Sequence, residues 1–399
     1  MNTKIKIAAS SAFSFVLVMG LVNLFADMTY EGGASINGPF LGTLGASAAA
    51  ISILAGVGEF LGYSLRSVAG YAADKTGNYW LVTFLGYSIN LLAVPAMALA
   101  GNWQTAGALI LVERIGRALR KPTVEAMLSY STGKHGKGWV YAVNTALDET
   151  GATLGPLFIA LVLYLKADFR TGYGFLLISS LLALVALVVA RVLFPVPSHL
   201  EVGGPATSQT KTFTRAYWLY MIAGSCFGAG LMSFELVSYH LSSNRIAAEP
   251  WIPLFLALAT AMAVIASLVL GKLYDKIGIT VVVIAVTLAS FFSPLVFFGN
   301  FGIALGGLLL WGIGYAIQDT LLKVLIASVL PATKRNLAFG LFYLGYGGGW
   351  LLGSIVTGLL YDHSRLALVI FAVTIQLASL PFFILAARKA RKDHPINPL

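Results

Sequence analysis

Charge is scarce in this sequence, and so are the residues that usually carry enzymatic chemistry. Charged side chains occupy 11% of the 399 positions and hydrophobic ones 58%, with a mean hydropathy of +0.83. A soluble core of this size cannot hide so much apolar surface, so the chain belongs in lipid. Its single cysteine, Cys226, excludes an intramolecular disulfide and any cysteine-rich metal site. Of the five histidines, His135, His199, His363 and His394 fall in expected loops or tails, and His240 stands near the end of an apolar run. The sequence has no His-Glu-x-x-His zinc motif, Gly-x-Ser-x-Gly elbow or Walker A pattern, which speaks against a membrane enzyme or an ATPase. No cofactor is expected. The bases behind the net charge of +10 are spread over short loops, so nucleic acid is not an expected partner.

What the chain does have is twelve apolar stretches, each long enough to cross about 30 Å of hydrocarbon as a helix of roughly 20 residues. They cover residues 10–41, 47–71, 79–100, 103–131, 138–165, 170–193, 216–242, 251–273, 279–298, 302–330, 336–361 and 366–388. Short alternating segments typical of a barrel are missing. Lys4 and Lys6 before an apolar run resemble a signal peptide, but Asp27 and Glu31 follow that run, and it reads as the first span. The stretch from Pro195 to Thr214 is polar and rich in breakers, as a linker would be. The expectation is an all-α integral membrane protein, with a six-helix bundle over 1–194, a cytoplasmic linker over 195–215 and a second bundle over 216–399.

The two halves repeat. Gly70-Tyr-Ala-Ala-Asp74-Lys-Thr-Gly77 returns as Gly271-Lys-Leu-Tyr-Asp275-Lys-Ile-Gly278, 201 positions later. Glu31 and Glu235 are 204 apart, Gly116 and Gly314 are 198 apart, and Gly151-x-x-x-Gly155 matches Gly349-x-x-x-Gly353 at 198. Two six-helix halves in parallel orientation account for these offsets. With the N-terminus inside, sixteen lysines and arginines fall on the inner side and only Lys166, Arg170, Arg245 and Arg365 on the outer. Both termini are therefore expected in the cytoplasm, with the protein in the plasma (inner) membrane.

These residues resemble the major facilitator superfamily over nearly the whole length. Gly70 to Gly77 is similar to that family's signature loop between helices two and three, and Gly271 to Gly278 to its counterpart between helices eight and nine. The family's usual basic residues after the second glycine are replaced by Asn78, Tyr79 and Trp80. Arg114, in Val-Glu-Arg-Ile-Gly, resembles the helix-four arginine associated with proton coupling, and Gly151-Ala-Thr-Leu-Gly155-Pro156 the helix-five motif of antiporters. The resemblance implies two pseudo-symmetric bundles that rock around a central cavity, a small-molecule or ion substrate, a monomer, and export by antiport.

Charges inside spans carry the functional expectation. Asp27, Glu31, Glu59, Glu113, Glu125, Asp148, Glu149, Glu235 and Asp319 lie within predicted helices, as do Arg66, Arg114, Arg117, Arg120, Lys121 and Lys323. Each would cost on the order of 2.5–3.5 kcal/mol at the bilayer centre, so each should face another charge or a wet cavity. At 100° per residue, Asn23, Asp27, Tyr30 and Glu31 share one stripe, and the six charges of span four share another. Glu113 and Arg117 are spaced to pair along their own helix. Depth suggests two layers, with Asp27, Glu31 and Glu235 toward the outside and Arg66, Arg117, Arg120 and Lys121 toward the cytoplasm. The outer acids have no basic neighbour in sequence, and a carboxylate in a poorly solvated cavity keeps its proton toward neutral pH. Asp27 and Glu31, then Glu235, are the leading sites for a proton or a substrate, followed by Glu59, Arg114, Arg117, Asp148, Glu149 and Asp319. The expected function is a proton-coupled secondary transporter. The alternatives are a cation or metal-ion carrier using Asp27, Glu31 and Glu235, with His240 as a weak nitrogen ligand, and a non-transporting receptor or membrane enzyme.

Overall fold

The computed structural model describes residues 2–129, 137–165, 167–196, 213–329 and 335–393, and among them there is no β-strand. The side chain of Asp74, the linker residues 197–212, and Lys134, His135, His199, Lys211, Lys334 and His394 lie outside the described residues. Twelve span-length helices follow one another. They are α1 Asn2–Thr43, α2 Ala48–Thr76, α3 Tyr79–Ala96, α4 Trp103–Ser129, α5 Lys137–Tyr164 and α6 Phe169–Leu193, then α7 Arg215–Ser243, α8 Trp251–Ile277, α9 Ile279–Phe298, α10 Phe301–Val329, α11 Arg335–His363 and α12 Arg365–Asp393. Eleven are long and apolar enough to cross a membrane. The exception, α4, has the length but carries Glu113, Arg114, Arg117, Arg120, Lys121 and Glu125. Such a helix is stable in lipid only with its charges turned into protein.

Three of the twelve depart from a regular α-helix. α7 breaks between Leu231 and Phe234, where Met232 takes φ 49°. The carbonyls freed there, of Leu231 and Met232, accept hydrogen bonds of 3.1 and 3.0 Å from the indole nitrogen of Trp311 on α10. Without that donor they would be left unsatisfied away from water. α9 turns at Phe291, and α10 contains a π-helical segment, Ile317–Leu321.

The chain packs as two compact units, one of Met1–Asn37 with Leu65–Ala206, the other of Gly38–Ser64 with Thr207–Leu399. The sequence places a division only at the linker. Residues 38–64 join the second unit because the first half of α2 lies along the small residues of α11. There Ser52 donates to the Ser354 carbonyl at 2.7 Å, and a Cβ at Gly56 or Gly358 would fall 2.5 Å from Ser354 or 3.0 Å from Ala49.

The doubling of the sequence reappears as doubled contacts, each pair inside its own unit. Gly77 (φ 66°) and Gly278 (φ 59°) both adopt the left-handed backbone that favours glycine. Their amides close the preceding helix on Ala73 and Tyr274 at 2.9 and 2.8 Å. Gly70 faces Pro122, and Gly271 faces Thr320. Gly151 and Gly155 of α5 lie against the α1 backbone at Leu24 and Met28, while Gly349 and Gly353 of α11 lie against the α7 backbone at Ser225 and Ala229. Everything up to Gly278 keeps an offset of 201 and everything from Thr320 an offset of 198, so the two modules differ by three residues between those points. In this register Glu31 corresponds to Met232, not to Glu235. The expected Glu31–Glu235 equivalence fails because α1 runs on as helix where α7 breaks.

Candidate functional site

Three helices of the first unit each turn one polar stripe inward. On α1, Asn23, Asp27 and Tyr30 are spaced i, i+4, i+7. On α4, Glu113, Arg117 and Arg120 have the same spacing, and on α3, Tyr87 and Asn90 are i, i+3. Residues so spaced share a helix face. The three faces meet at Arg120, whose guanidinium lies 3.2 Å from the Asp27 carboxylate. That guanidinium stands over the ring of Tyr87 at 4.7 Å and over Tyr30 at 5.8 Å. Asp27 and Arg120 are 7% and 3% exposed, so each charge depends on the other and on the flanking rings in place of water.

A second layer of polar contacts holds these groups. Asn23 donates to Asn144 of α5 at 3.0 Å and accepts from the Tyr87 hydroxyl. Glu113 is 3.6 Å from Arg117 and 3.5 Å from Arg114, and it accepts a 2.8 Å bond from Asn90. Arg117 also stands 4.7 Å over the Tyr30 ring. Glu31 is half-buried beside Tyr30, and the charges facing it are Arg117, Asp27 and Glu149. Asp148 of α5 faces Asp27, Lys121, Arg120 and Glu149, and its buried Oδ1 has no hydrogen-bond partner among the described residues. A small cavity beside this network is lined by Tyr30, Asn37, Glu113, Arg114 and Tyr173 among others, with Tyr173 donating to Asn37 at 2.7 Å.

The sequence offers Asp27 no basic neighbour, and the structure supplies one: its carboxylate is paired with Arg120 from α4, 93 positions away. The proposed separation into an outer acidic and an inner basic layer therefore fails at Asp27 and Arg120. Tyr87 and Asn90 are the members of this network that sequence reading passed over. Their signal was a tyrosine and an asparagine one turn apart in a span otherwise nearly all apolar.

In the second unit the expected residues are more dispersed. Glu235 is buried in the first turn of the second segment of α7, and Ser238 donates to its backbone carbonyl at 3.2 Å. Asp319 lies in the π-helical segment, paired with Lys323 at 3.5 Å and 58% exposed. Exposure of that degree in mid-span fits a face turned to water rather than to lipid. Glu59 is half-buried on α2, near Tyr346. Asp275, expected in a loop, lies exposed in the last turns of α8, which continues as helix to Ile277. Among the described residues no three His, Cys, Asp or Glu side chains gather closely enough to hold a metal ion. His240, the weak metal candidate, has Nδ1 2.9 Å from the Tyr361 hydroxyl and 3.0 Å from the Asn244 amide, with its ring 4.7 Å from Phe297. It is a packed, hydrogen-bonded core histidine.

The chain matches the sequence profile of the Major Facilitator Superfamily over residues 8–322 and 252–398. It is 32% identical over 378 residues to an uncharacterised protein of Mycobacterium tuberculosis, covering 93% of this chain and 92% of that one. An uncharacterised MFS-type transporter of Methanocaldococcus jannaschii is 24% identical over 367 residues, covering 88% and 89%. Among solved structures, the nucleoside transporter NupG superposes with a TM-score of 0.68 at 14% identity, covering 95% of this chain and 98% of that one. The peptide transporter POT in complex with sulfate gives 0.72 at 14% identity, covering 95% and 94%. These structural likenesses concern the fold. The paired six-helix architecture, the doubled loop and the profile match lead to one assignment: this chain belongs to the Major Facilitator Superfamily and is an integral membrane transporter, not an enzyme.

Proposed function

We propose that the protein is a proton-coupled secondary transporter that moves a small solute by alternating access, as a monomer in the inner membrane with both termini cytoplasmic. Its two six-helix halves, 1–194 and 216–399, rock about a central passage, with the linker 195–215 joining them and the Gly70–Gly77 and Gly271–Gly278 segments, which end α2 and α8, as gates. The carrying observation is the position of Glu31. It is half-buried beside the network, its facing base is Arg117, and Arg117 already serves Glu113 at 3.6 Å. While Glu31 holds a proton, Arg117 remains with Glu113. Loss of the proton creates a second anion competing for the same guanidinium, and a charge redistribution of that kind shifts a two-state equilibrium. Asp27, already tied to Arg120, holds α1 to α4. The helix-five motif Gly151, Gly155 and Pro156 favours antiport, and hence export.

The test is reconstitution into liposomes with an imposed pH gradient and a panel of labelled solutes. The parent should drive at least one solute class against its gradient, and a protonophore should abolish that drive. Glu31→Gln should lose gradient-driven flux while retaining solute-for-solute exchange, because exchange needs no net proton movement. A Glu31→Gln variant that still concentrates solute in response to the pH gradient would overturn the assignment.

A further inference from the structure

The π-helical segment of α10 is the most unusual stretch of backbone in the second unit. One residue more than an α-helix would use is fitted into Ile317–Leu321. Such bulges hold weaker hydrogen bonds than the flanking helix and persist where the displaced side chains are used.

The segment carries Gln318, and both ends of its amide are engaged. Its Nε2 donates to the Tyr63 hydroxyl of α2 at 2.7 Å, and its Oε1 accepts from the Tyr346 hydroxyl of α11 at 2.8 Å. Tyr63 in turn stacks on Tyr343 with centroids 5.4 Å apart and meets Tyr346 edge-on at 5.5 Å. A Cβ at Gly347 would lie 3.3 Å from the Tyr63 side chain, so glycine there lets α11 come close. Three helices therefore meet through one amide, at the residue next to the end of the 38–64 stretch that packs on α11. The neighbouring residue in the bulge, Asp319, is exposed and paired to Lys323.

We propose that Gln318 is a positioning residue, the catch that holds the first half of α2 against α11, and that reversion of the π-segment to α-helix releases it. Removing the extra residue turns the following side chains by about 100° and shifts them by about 1.5 Å. Gln318 cannot reach Tyr63 and Tyr346 in both registers. Because Asp319 sits in the same turn, a change in its charge or partner acts on the segment that sets the catch. The part this plays in a transport cycle rests on the carrier reading above, whereas the catch itself does not.

The experiment uses the full-length protein carrying Cys226→Ala and a reporter, Ser52→Cys, on the α2 face that is 1% exposed against α11. The reporter is alkylated with N-ethylmaleimide in the absence of solute, so the rate reads how often α2 leaves α11. Loss of both hydrogen bonds predicts roughly tenfold faster labelling in Gln318→Ala. Tyr63→Phe and Tyr346→Phe each remove one hydroxyl and should accelerate it by a smaller factor. Each should also add little to Gln318→Ala, as members of one unit do. Gln318→Glu, which can accept from both tyrosines, should bring the rate back toward the parent's. A second reporter at buried Ser290 on α9 should keep its parental rate in every variant. Parental labelling at position 52 in all variants, or equal acceleration at position 290, would overturn the catch. The two Tyr→Phe variants carry the test should Gln318→Ala not fold. Since no solute is involved, failure here is separable from failure of the transport assay.

Discussion

Arg120→Gln is expected to leave little folded protein in the membrane, and combining it with Asp27→Asn should recover much of what was lost. The guanidinium of Arg120 is the only base within 4 Å of Asp27 among the described residues, at 3.2 Å, and both groups are buried. Removing one partner of a buried pair strands the other charge and typically costs about 3–5 kcal/mol, whereas removing both restores neutrality. The recovery should be incomplete, because the glutamine no longer presents a cation to the rings of Tyr87 and Tyr30, an attraction of about 0.5–2 kcal/mol. Monodisperse yield after detergent extraction and the midpoint of thermal unfolding are the readouts. If Arg120→Gln matches the parent, or if the double variant is worse than the single by the sum of both losses, the pair does not carry the structural role given to it.

The second large effect is steric. A side chain at Gly151 or Gly353 would be driven into backbone, the carbonyl of Leu24 in one case and of Ala229 in the other. A carbonyl of an adjoining helix cannot swing away as a side-chain tip can, so the two helices must separate along the seam. In a membrane, helix association rests on such close packing. Gly151→Val and Gly353→Val should therefore each destabilise by several kcal/mol, about the range of core overpacking or beyond. Gly62→Ala and Gly348→Ala, where nothing lies within 4 Å of an added methyl group, should extract and melt like the parent. Equal behaviour of the two sets would contradict the packing of α5 on α1 and of α11 on α7.

Much of this architecture was legible because the physics behind it is local. A helix crossing lipid must be long and apolar, and a left-handed helix stop selects glycine, so the spans and the doubled loop with Gly77 and Gly278 stand out in the sequence. The inward face of α4 was legible for a similar reason, since six charges on one arc of a helix in lipid have only one tolerable direction. Tertiary partners were not legible. Nothing near Asp27 in the chain announces Arg120, and nothing in α3 announces that Tyr87 and Asn90 complete the network. The break in α7 was half-visible. Ser233 and Glu235 are the residue types that open a helix, but Met232 is not one that sequence reading places at φ 49°. Missing that break produced the false match of Glu31 with Glu235. The π-segment of α10 left no mark in composition, because its register is chosen by what Gln318 can reach on two other helices.

Coupling of a proton to solute movement is tested most directly at Glu31. Proteoliposomes loaded with a pH-sensitive dye, without an imposed gradient, should show a change of internal pH when a transported solute is added outside. In liposomes carrying Glu31→Gln of equal protein content the same addition should produce none. A proton signal of parental size from Glu31→Gln would contradict the account, and so would solute movement by the parent with no proton signal.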